Sequence, residues 1–404
     1  MAASASIPTL TEDEKYDLIT SNIQEVIRPD IIRAILPVRP LEIFWGTATT
    51  GRPRKYLLGP SFPPRPIKLT LKLLDAAYFV PAIKIAQFLR AGCKVKVLLA
   101  DLHGFLDADK APEATLDYRA QYYERVIGAL LRAVGVNLEN LQFVRGSSYQ
   151  LTPAFSRDLL RLSKRVSVHN AVKASSEIVK STGEPVMADG IYPMMQLLDE
   201  EYLEVDAEFG GIDQRKTFAL ANDSRTKALG FRTRSHLMNP MVPGLSGGKM
   251  SSSDPKSKID LLDDPVTIHK KIAKAYCAPR QLEGNGILAF IEHVLLPYSQ
   301  LQSSDGKTAA IEVALKDQRE PTIFKSFAEV KESYEADILT PQLAKRIVED
   351  GLVKLTTSIR CAFEEDEDWQ RIAEAAYENS TYLPKGQHAK RNQNAKRQKG
   401  MELV

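Results

Sequence analysis

Four short segments carry residues whose types and spacing could do chemistry. In Phe44-Trp45-Gly46-Thr47-Ala48-Thr49-Thr50-Gly51-Arg52-Pro53 an apolar run breaks into glycines and threonines. Such a loop lets a nucleotide approach the backbone and offers N–H groups to phosphate. By residue type alone, a plain strand-to-loop turn explains it better. Tyr192, Gln196 and Asp199 stand at i, i+4 and i+7, one face of a helix if the segment is helical. That face would hold a phenol, an amide and a carboxylate between apolar neighbours, which suits a polar pocket better than an exposed stripe. Gly210-Gly211-Ile212-Asp213-Gln214 follows an apolar run and precedes a helical pattern. Paired glycines there suit a ligand lying against the backbone, and suit a bare tight turn equally. Gly247-Gly248-Lys249-Met250-Ser251-Ser252-Ser253 sets one cation and three hydroxyls on a glycine-bearing loop, a combination able to hold a polyphosphate. By composition alone, a solvated linker explains it better.

These segments need a scaffold, and the apolar pattern supplies one. Leu41–Trp45, Val95–Ala100, Leu141–Val144 and Leu203–Phe209 read as strands, with helical stretches such as Tyr118–Val134 between them. Strands alternating with helices predict a parallel sheet covered on both faces, which takes ligands at the carboxyl ends of its strands. Thr11 and Glu14 have capping-box spacing, and the apolar residues behind them predict a helix to about Arg28. Beyond Leu261 the pattern turns helical, over Ile268–Tyr276, Ile287–Leu296, Phe324–Tyr334 and Leu343–Phe363.

The 404 residues carry 44% hydrophobic and 26% charged side chains, enough apolar material for a large core. No run approaches a membrane span. Net charge is only +3, and the excess is local. From Lys385 onward six basic residues face one acid, a composition that predicts a disordered tail. Three widely spaced cysteines fit a reducing compartment rather than a disulfide framework. Glu12, Asp13 and Glu14 argue against a transit peptide. His103 follows the strand-ending Asp101 close to where a ligand would sit, though a structural role fits it slightly better. His236, His269, His293 and His388 suggest no metal site and no acid–base pair.

Together the segments resemble the cytoplasmic tyrosyl-tRNA synthetases of eukaryotes and archaea, which are class I aminoacyl-tRNA synthetases. The resembling stretches are Trp45–Pro53, Tyr78–Pro81, Leu98–Asp107, Gly146–Pro153, Ile191–Lys216, His236–Leu245 and Lys249–Leu262, in the family's order, across about residues 15–380. The basic tail resembles that of the fungal members. The resemblance implies an α/β fold: a Rossmann-type parallel-sheet catalytic domain over 1–245, then a mostly helical anticodon-binding domain over 261–384. A KMSKS-like loop and linker would span 246–260, and the tail 385–404. It implies a cytoplasmic ligase that joins L-tyrosine to ATP, with Mg²⁺ arriving on the nucleotide, and passes the tyrosyl group to tRNA-Tyr. It further implies a homodimer, no membrane, no bound organic cofactor and no resident metal. Tyr192, Gln196, Asp199 and Gln214, with Phe44, would line the tyrosine pocket. Gly46, Thr47, Thr49, Gly51, Gly210, Gly211 and Lys249 would meet ATP, with Lys249 and Ser251, Ser252 and Ser253 acting on its phosphates. Arg161, Lys164, Arg165 and Lys173 would approach the acceptor stem, and Lys270, Lys271 and Lys274 the anticodon arm. The alternatives are a tryptophanyl-tRNA synthetase, an activation-impaired RNA-binding relative and a metabolic adenylyltransferase.

Two departures stand out. Phe44 occupies a position where the family usually has tyrosine; this leaves Asp199 alone to meet the substrate phenol and predicts weakened rejection of phenylalanine. Residues 54–75 stand where the family has a single histidine, the first residue of its HIGH-like motif, and no histidine lies between Pro53 and Tyr78. The segment holds four prolines and no acid before its last residue, Asp75. It can be encoded with a 5′ splice site at Arg54-Lys55-Tyr56, a branch point at Leu69-Thr70 and a terminal TAG at Leu74-Asp75. Its removal then restores a histidine codon before Ala76. A translated intron is the expectation, a lineage-specific insertion the alternative. Either way the segment predicts impaired tyrosine activation and displacement of the helix that follows it.

Overall fold

A computed structural model describes residues 10–50, 76–107, 111–178, 184–244, 259–303, 305–315 and 320–377. Gly51, the segment 54–75, Lys249, Ser251, Ser252, Ser253 and the tail from 385 lie outside the described residues.

Six strands form one sheet: β1 (Glu25–Ile27), β2 (Glu42–Ala48), β3 (Lys94–Ala100), β4 (Leu141–Arg145), β5 (Ala207–Gly211) and β6 (Ser235–Asn239). Their order is β1-β6-β5-β2-β3-β4. All neighbours are parallel except β1 on β6. From β2 the chain winds outward through β3 to β4, then returns to lay β5 on the other side of β2. The carboxyl ends of β2 and β5 therefore flank the point where the winding reverses, the place where such sheets open a crevice. The alternation of side chains gives β2 two roles. Trp45 enters the main core, while Phe44 enters a smaller cluster on the opposite face with Leu98, Ala100, Leu203, Val205 and Tyr149.

The capping box forms as its spacing predicts: the Glu14 N–H donates to Thr11 Oγ1 at 3.3 Å, and the Thr11 N–H to Glu14 Oε2 at 2.9 Å. The helix it opens ends at Thr20 instead of running to Arg28. Buried Lys84 donates to the carbonyls of Leu18 and Ser21, both at 2.7 Å, and so terminates it. Asn22 then takes a left-handed turn (φ 54°), and the β-branched pair Val26-Ile27 joins the sheet edge. Strand β5 begins at Ala207, since Leu203 still caps the preceding helix through its N–H on the Asp199 carbonyl. Beyond residue 261 the helices Pro265–Ala273 and Pro341–Glu365 match two of the expected stretches, and Glu367–Ala376 is a helix the sequence reading did not single out. Two stretches differ. Ile287–Leu296 contains a π turn at Ile291–Leu295, and Thr322–Phe324 is a strand paired with Ile311–Val313 ahead of the helix Phe327–Glu335. The helical part docks on the helix Leu116–Ala133. Tyr122 lies 6.3 Å from Trp369 and 5.7 Å from Tyr377, ring centre to ring centre.

The helix that follows the anomalous segment is not displaced. Phe79–Arg90 buries Phe79, Ile83, Ile85 and Phe88 in the main core. Just before it, Tyr78 Oη lies 3.2 Å from Thr47 Oγ1, and its ring meets Trp45 edge-on at 6.2 Å. Burial of that apolar face holds the helix to the sheet whatever precedes it in the chain.

Candidate functional site

The helix Met187–Tyr202 lies beside the crevice, and the expected spacing holds: Tyr192, Gln196 and Asp199 are all buried. Pro193 sits inside this helix and cannot donate a backbone hydrogen bond to the preceding turn. The carboxylate of Asp199 is fully enclosed. Its Oδ1 accepts from the Tyr149 hydroxyl and from the Gln150 amide, both at 2.7 Å. Both donors come from the short helix Ser147–Gln150 that follows β4. Oδ2 accepts no hydrogen bond among the described residues, and His103 Nε2 lies 3.7 Å from it. Burial raises the Asp199 pKa to about 8, although its two donors pull the other way. Burial likewise drives His103 down to about 4, so the ring is neutral at pH 7. His103 also stacks edge-on against Tyr192 at 4.6 Å. It belongs to the pocket wall, not merely to the core beneath it.

Asp199 thus has protein donors on Oδ1, while no hydroxyl among the described residues stands at Oδ2. Phe44 brings no hydroxyl, and that of Tyr149, packed in the same cluster, is donated to Oδ1.

Gln196 faces the other way along the crevice. Its Nε2 donates to Glu208 Oε1 at 2.7 Å and to Gln214 Oε1 at 2.9 Å. Gln214 sits in the turn after β5, over Gly210. A Cβ on Gly210 would stand 2.5 Å from Gln214 Oε1 and 3.0 Å from Phe218 Cζ, so only glycine lets Gln214 close over the strand. A Cβ on Gly46 would make ordinary van der Waals contact with Phe44 and Leu98, at 3.6 Å and 3.8 Å. Buried Thr49, at the end of that strand, has an Oγ1 with no partner among the described residues.

Register places Lys96, Phe44, Glu208 and His236 in one cross-strand row. Glu208 and Glu200 are buried together with His236, their ligating atoms all within 4.8 Å. His236 Nε2 lies 2.8 Å from Glu200 Oε1, so His236 does form an acid–base pair, against the expectation for it. Burial, then the charge of Glu200, pushes the Glu208 pKa well up. Burial acts the same way on Glu200, but His236 and Arg234 outweigh it and hold that group low. His269 is paired as well, with Glu349 at 2.9 Å on the surface.

The described site residues converge at one end of the sheet, with an enclosed acid at one side and an amide network at the other. Sequence reasoning passed over Tyr149, Gln150 and Glu208. An acid inside the apolar run Ala207–Phe209 was the one local signal available for Glu208.

Residues 72–356 match the family model for class I tRNA synthetases (W and Y). The chain is 44% identical over 380 residues to the cytoplasmic tyrosine–tRNA ligase of Saccharomyces cerevisiae, covering 93% of this chain and 91% of that one. It is 44% identical over 373 residues to the cytoplasmic tyrosine–tRNA ligase of Danio rerio, covering 91% of this chain and 64% of that longer one. Its fold matches the crystal structure of Archaeoglobus fulgidus tyrosyl-tRNA synthetase complexed with L-tyrosine with a TM-score of 0.74 at 28% identity, over 87% of this chain and 99% of that one. A sheet with its crevice between β2 and β5, an enclosed acid on the helix beside it and these likenesses agree: the chain belongs to the class I tRNA synthetases, among the tyrosine–tRNA ligases.

Proposed function

We infer that this chain activates L-tyrosine with ATP and transfers the tyrosyl group to tRNA, in the cytoplasm as its relatives' names state. The observation that carries this reading is the enclosed Asp199, whose Oδ2 is the unfilled acceptor at the pocket's end. A substrate phenol donates there, and phenylalanine leaves the group unpaired. A site built to bond a hydroxyl rejects the analogue lacking it by about 10⁴–10⁵, and tyrosyl-tRNA synthetases are themselves the general example of that rule rather than a case worked out from this chain. Tyr192 and Gln196 hold the ammonium end, with Gln214 and Glu208 fixing Gln196.

ATP lies over Gly46, Thr47 and Thr49 on β2 and Gly210 and Gly211 on β5, carrying Mg²⁺ as part of the substrate. The tyrosine carboxylate attacks the α-phosphorus, and pyrophosphate leaves with its bonding pair. Negative charge grows on the phosphate oxygens, so catalysis is positioning plus electrostatic stabilisation. Lys249 and Ser251, Ser252 and Ser253 supply the cation and hydroxyls, and Gly51 belongs to the same ATP loop as β2. Tyrosine-dependent ATP–pyrophosphate exchange tests the reading. Exchange driven by tryptophan instead, or no binding of tyrosine at all, overturns it.

The helices after residue 261 read the anticodon arm. Lys270 and Lys274 are exposed and suit phosphate, whereas Lys271 is bound to Asp263 within the fold. Exposed Lys164, Arg165 and Lys173 suit the acceptor stem, while Arg161 is engaged by Asp158 at 2.8 Å. The chain works as a homodimer through the stretch between β4 and the pocket helix, where Leu151, Leu160, Val168, Val186 and Met187 are exposed. Sedimentation as a monomer at micromolar concentration would refute that.

Residues 54–75 are a translated intron in this reading. The family match begins only at residue 72, near the end of that segment. Transcripts that all retain the segment, with peptides of the native protein covering it, would refute this.

A further inference from the structure

Asp199 makes two kinds of contact that a recognition acid must keep apart. One oxygen is saturated by the protein and the other is not. The donors on Oδ1 differ in kind. Gln150 is buried and brings an amide, while Tyr149 brings a hydroxyl on a ring held among Phe44, Phe155 and Tyr202. The Tyr149 and Tyr202 rings are stacked at 6.2 Å with 13° between their planes, and Phe155 meets Tyr149 at 5.9 Å. Ring packing therefore fixes where the Tyr149 hydroxyl points, and deleting that hydroxyl leaves the packing intact. The Tyr202 hydroxyl serves a different acid, Asp158, at 3.0 Å.

Resting on the tyrosine reading above, we propose that Tyr149 is a positioning residue for amino-acid specificity: by filling Oδ1 it orients the Asp199 carboxylate so that Oδ2 is the single acceptor offered to the substrate phenol. The physical basis is geometric and electrostatic. A carboxylate has two equivalent oxygens and several acceptor directions. Gln150 alone leaves one acceptor direction of Oδ1 open; with Tyr149 on it as well, both are taken and the carboxylate's rotation is fixed, so that Oδ2 faces the pocket. A hydroxyl donated to the enclosed carboxyl opposes the burial that raises its pKa to about 8, and so favours the ionised form that accepts from the substrate. The neutral ring of His103 beside Oδ2 closes the remaining approach without competing as a charge. Phe44 contributes a flat apolar wall to the same cluster and no hydrogen bond of its own.

Equilibrium binding of L-tyrosine and of L-phenylalanine to the full chain tests the proposal, in the unsubstituted protein, in Tyr149→Phe and in Tyr202→Phe. Binding is read rather than turnover, so the anomalous segment does not mask the answer. Tyr149→Phe is expected to weaken L-tyrosine about tenfold to a hundredfold, the loss typical of a hydrogen bond to a charged group, and to leave L-phenylalanine within about twofold. Its L-tyrosine affinity should also need a higher pH to reach its maximum. Tyr202→Phe, which removes a neighbouring hydroxyl from the same stack, should change neither ligand. Equal weakening of both amino acids by Tyr149→Phe assigns the hydroxyl to packing and overturns the proposal, as does no change in either. Failure of the unsubstituted chain to bind L-tyrosine overturns the pocket assignment itself, a distinct result.

Discussion

Replacing Asp199 by asparagine should change how stability depends on pH, and the structure fixes the sign. Burial raises the Asp199 pKa from 3.8 to about 8. Between those values the folded chain holds a proton that the unfolded chain has lost. The group's contribution to stability is therefore fully present below pH 3.8 and drains away as pH rises to about 8. The slope is about 1.4 kcal/mol per pH unit, so between pH 6.5 and 8 the loss is about 2 kcal/mol. His103 runs the opposite way. Its pKa falls from 6.5 to about 4, so its contribution is lost as pH drops through that range and is constant above 6.5. Glu208 drifts in the same direction as Asp199, which makes the difference between the two proteins the quantity to read. Asparagine keeps an oxygen for Tyr149 and Gln150 and removes only the ionisation. Urea unfolding of both proteins at four pH values from 6.5 to 8 should show the Asp199→Asn chain gaining about 2 kcal/mol relative to its parent across the series. A gap that stays flat, or closes as pH rises, refutes the buried-acid reasoning.

Gly210→Ala should push Gln214 off Gln196, because its Cβ would stand 2.5 Å from Gln214 Oε1; L-tyrosine affinity measured by calorimetry should fall, and unchanged affinity would show that Gln214 is not part of the pocket. Lys249→Ala should lower ATP–pyrophosphate exchange about 10²–10³-fold, the scale of losing one preorganised donor, while L-tyrosine binding stays as it was. Lys84→Met should cost about 3 kcal/mol in urea unfolding, since it strips the shared donor from the Leu18 and Ser21 carbonyls and from Gln87 Oε1; a neutral result would mean that water replaces the amine.

Period and spacing made the frame legible. The run Val95–Ala100, apolar but for Lys96, reads as an interior strand, and the i, i+4, i+7 set on the pocket helix needed nothing beyond helical geometry. Val26 and Ile27 misled because a helical repeat and an edge strand share the same apolar residues. The decision lay with Lys84, 58 residues after Val26 in the chain, which closes the first helix from outside. Tyr149 and Gln150 were invisible for a related reason. They reach Asp199 across 50 and 49 residues of sequence, and no local pattern encodes a partner at that distance. The same limit hid the pairing of Glu208 with His236, since parallel strands meet only after a crossover.

The cross-strand row through Lys96, Phe44, Glu208 and His236 explains why this core tolerates charge at all. Isolated, an enclosed carboxylate is costly, and two together are worse. Here Glu200 is held by His236, and Glu208, whose pKa burial pushes well up, accepts from the Gln196 amide. The outcome is one stable arrangement of Gln196, whose Nε2 is committed to Glu208 and Gln214 and whose carbonyl oxygen is thereby left as an acceptor. At the opposite end, Asp199 is arranged by the same logic, one oxygen committed and one free. Each end of the pocket thus uses protein partners to remove the wrong hydrogen-bonding option, and the chain spends buried polarity on a choice of orientation rather than on stability.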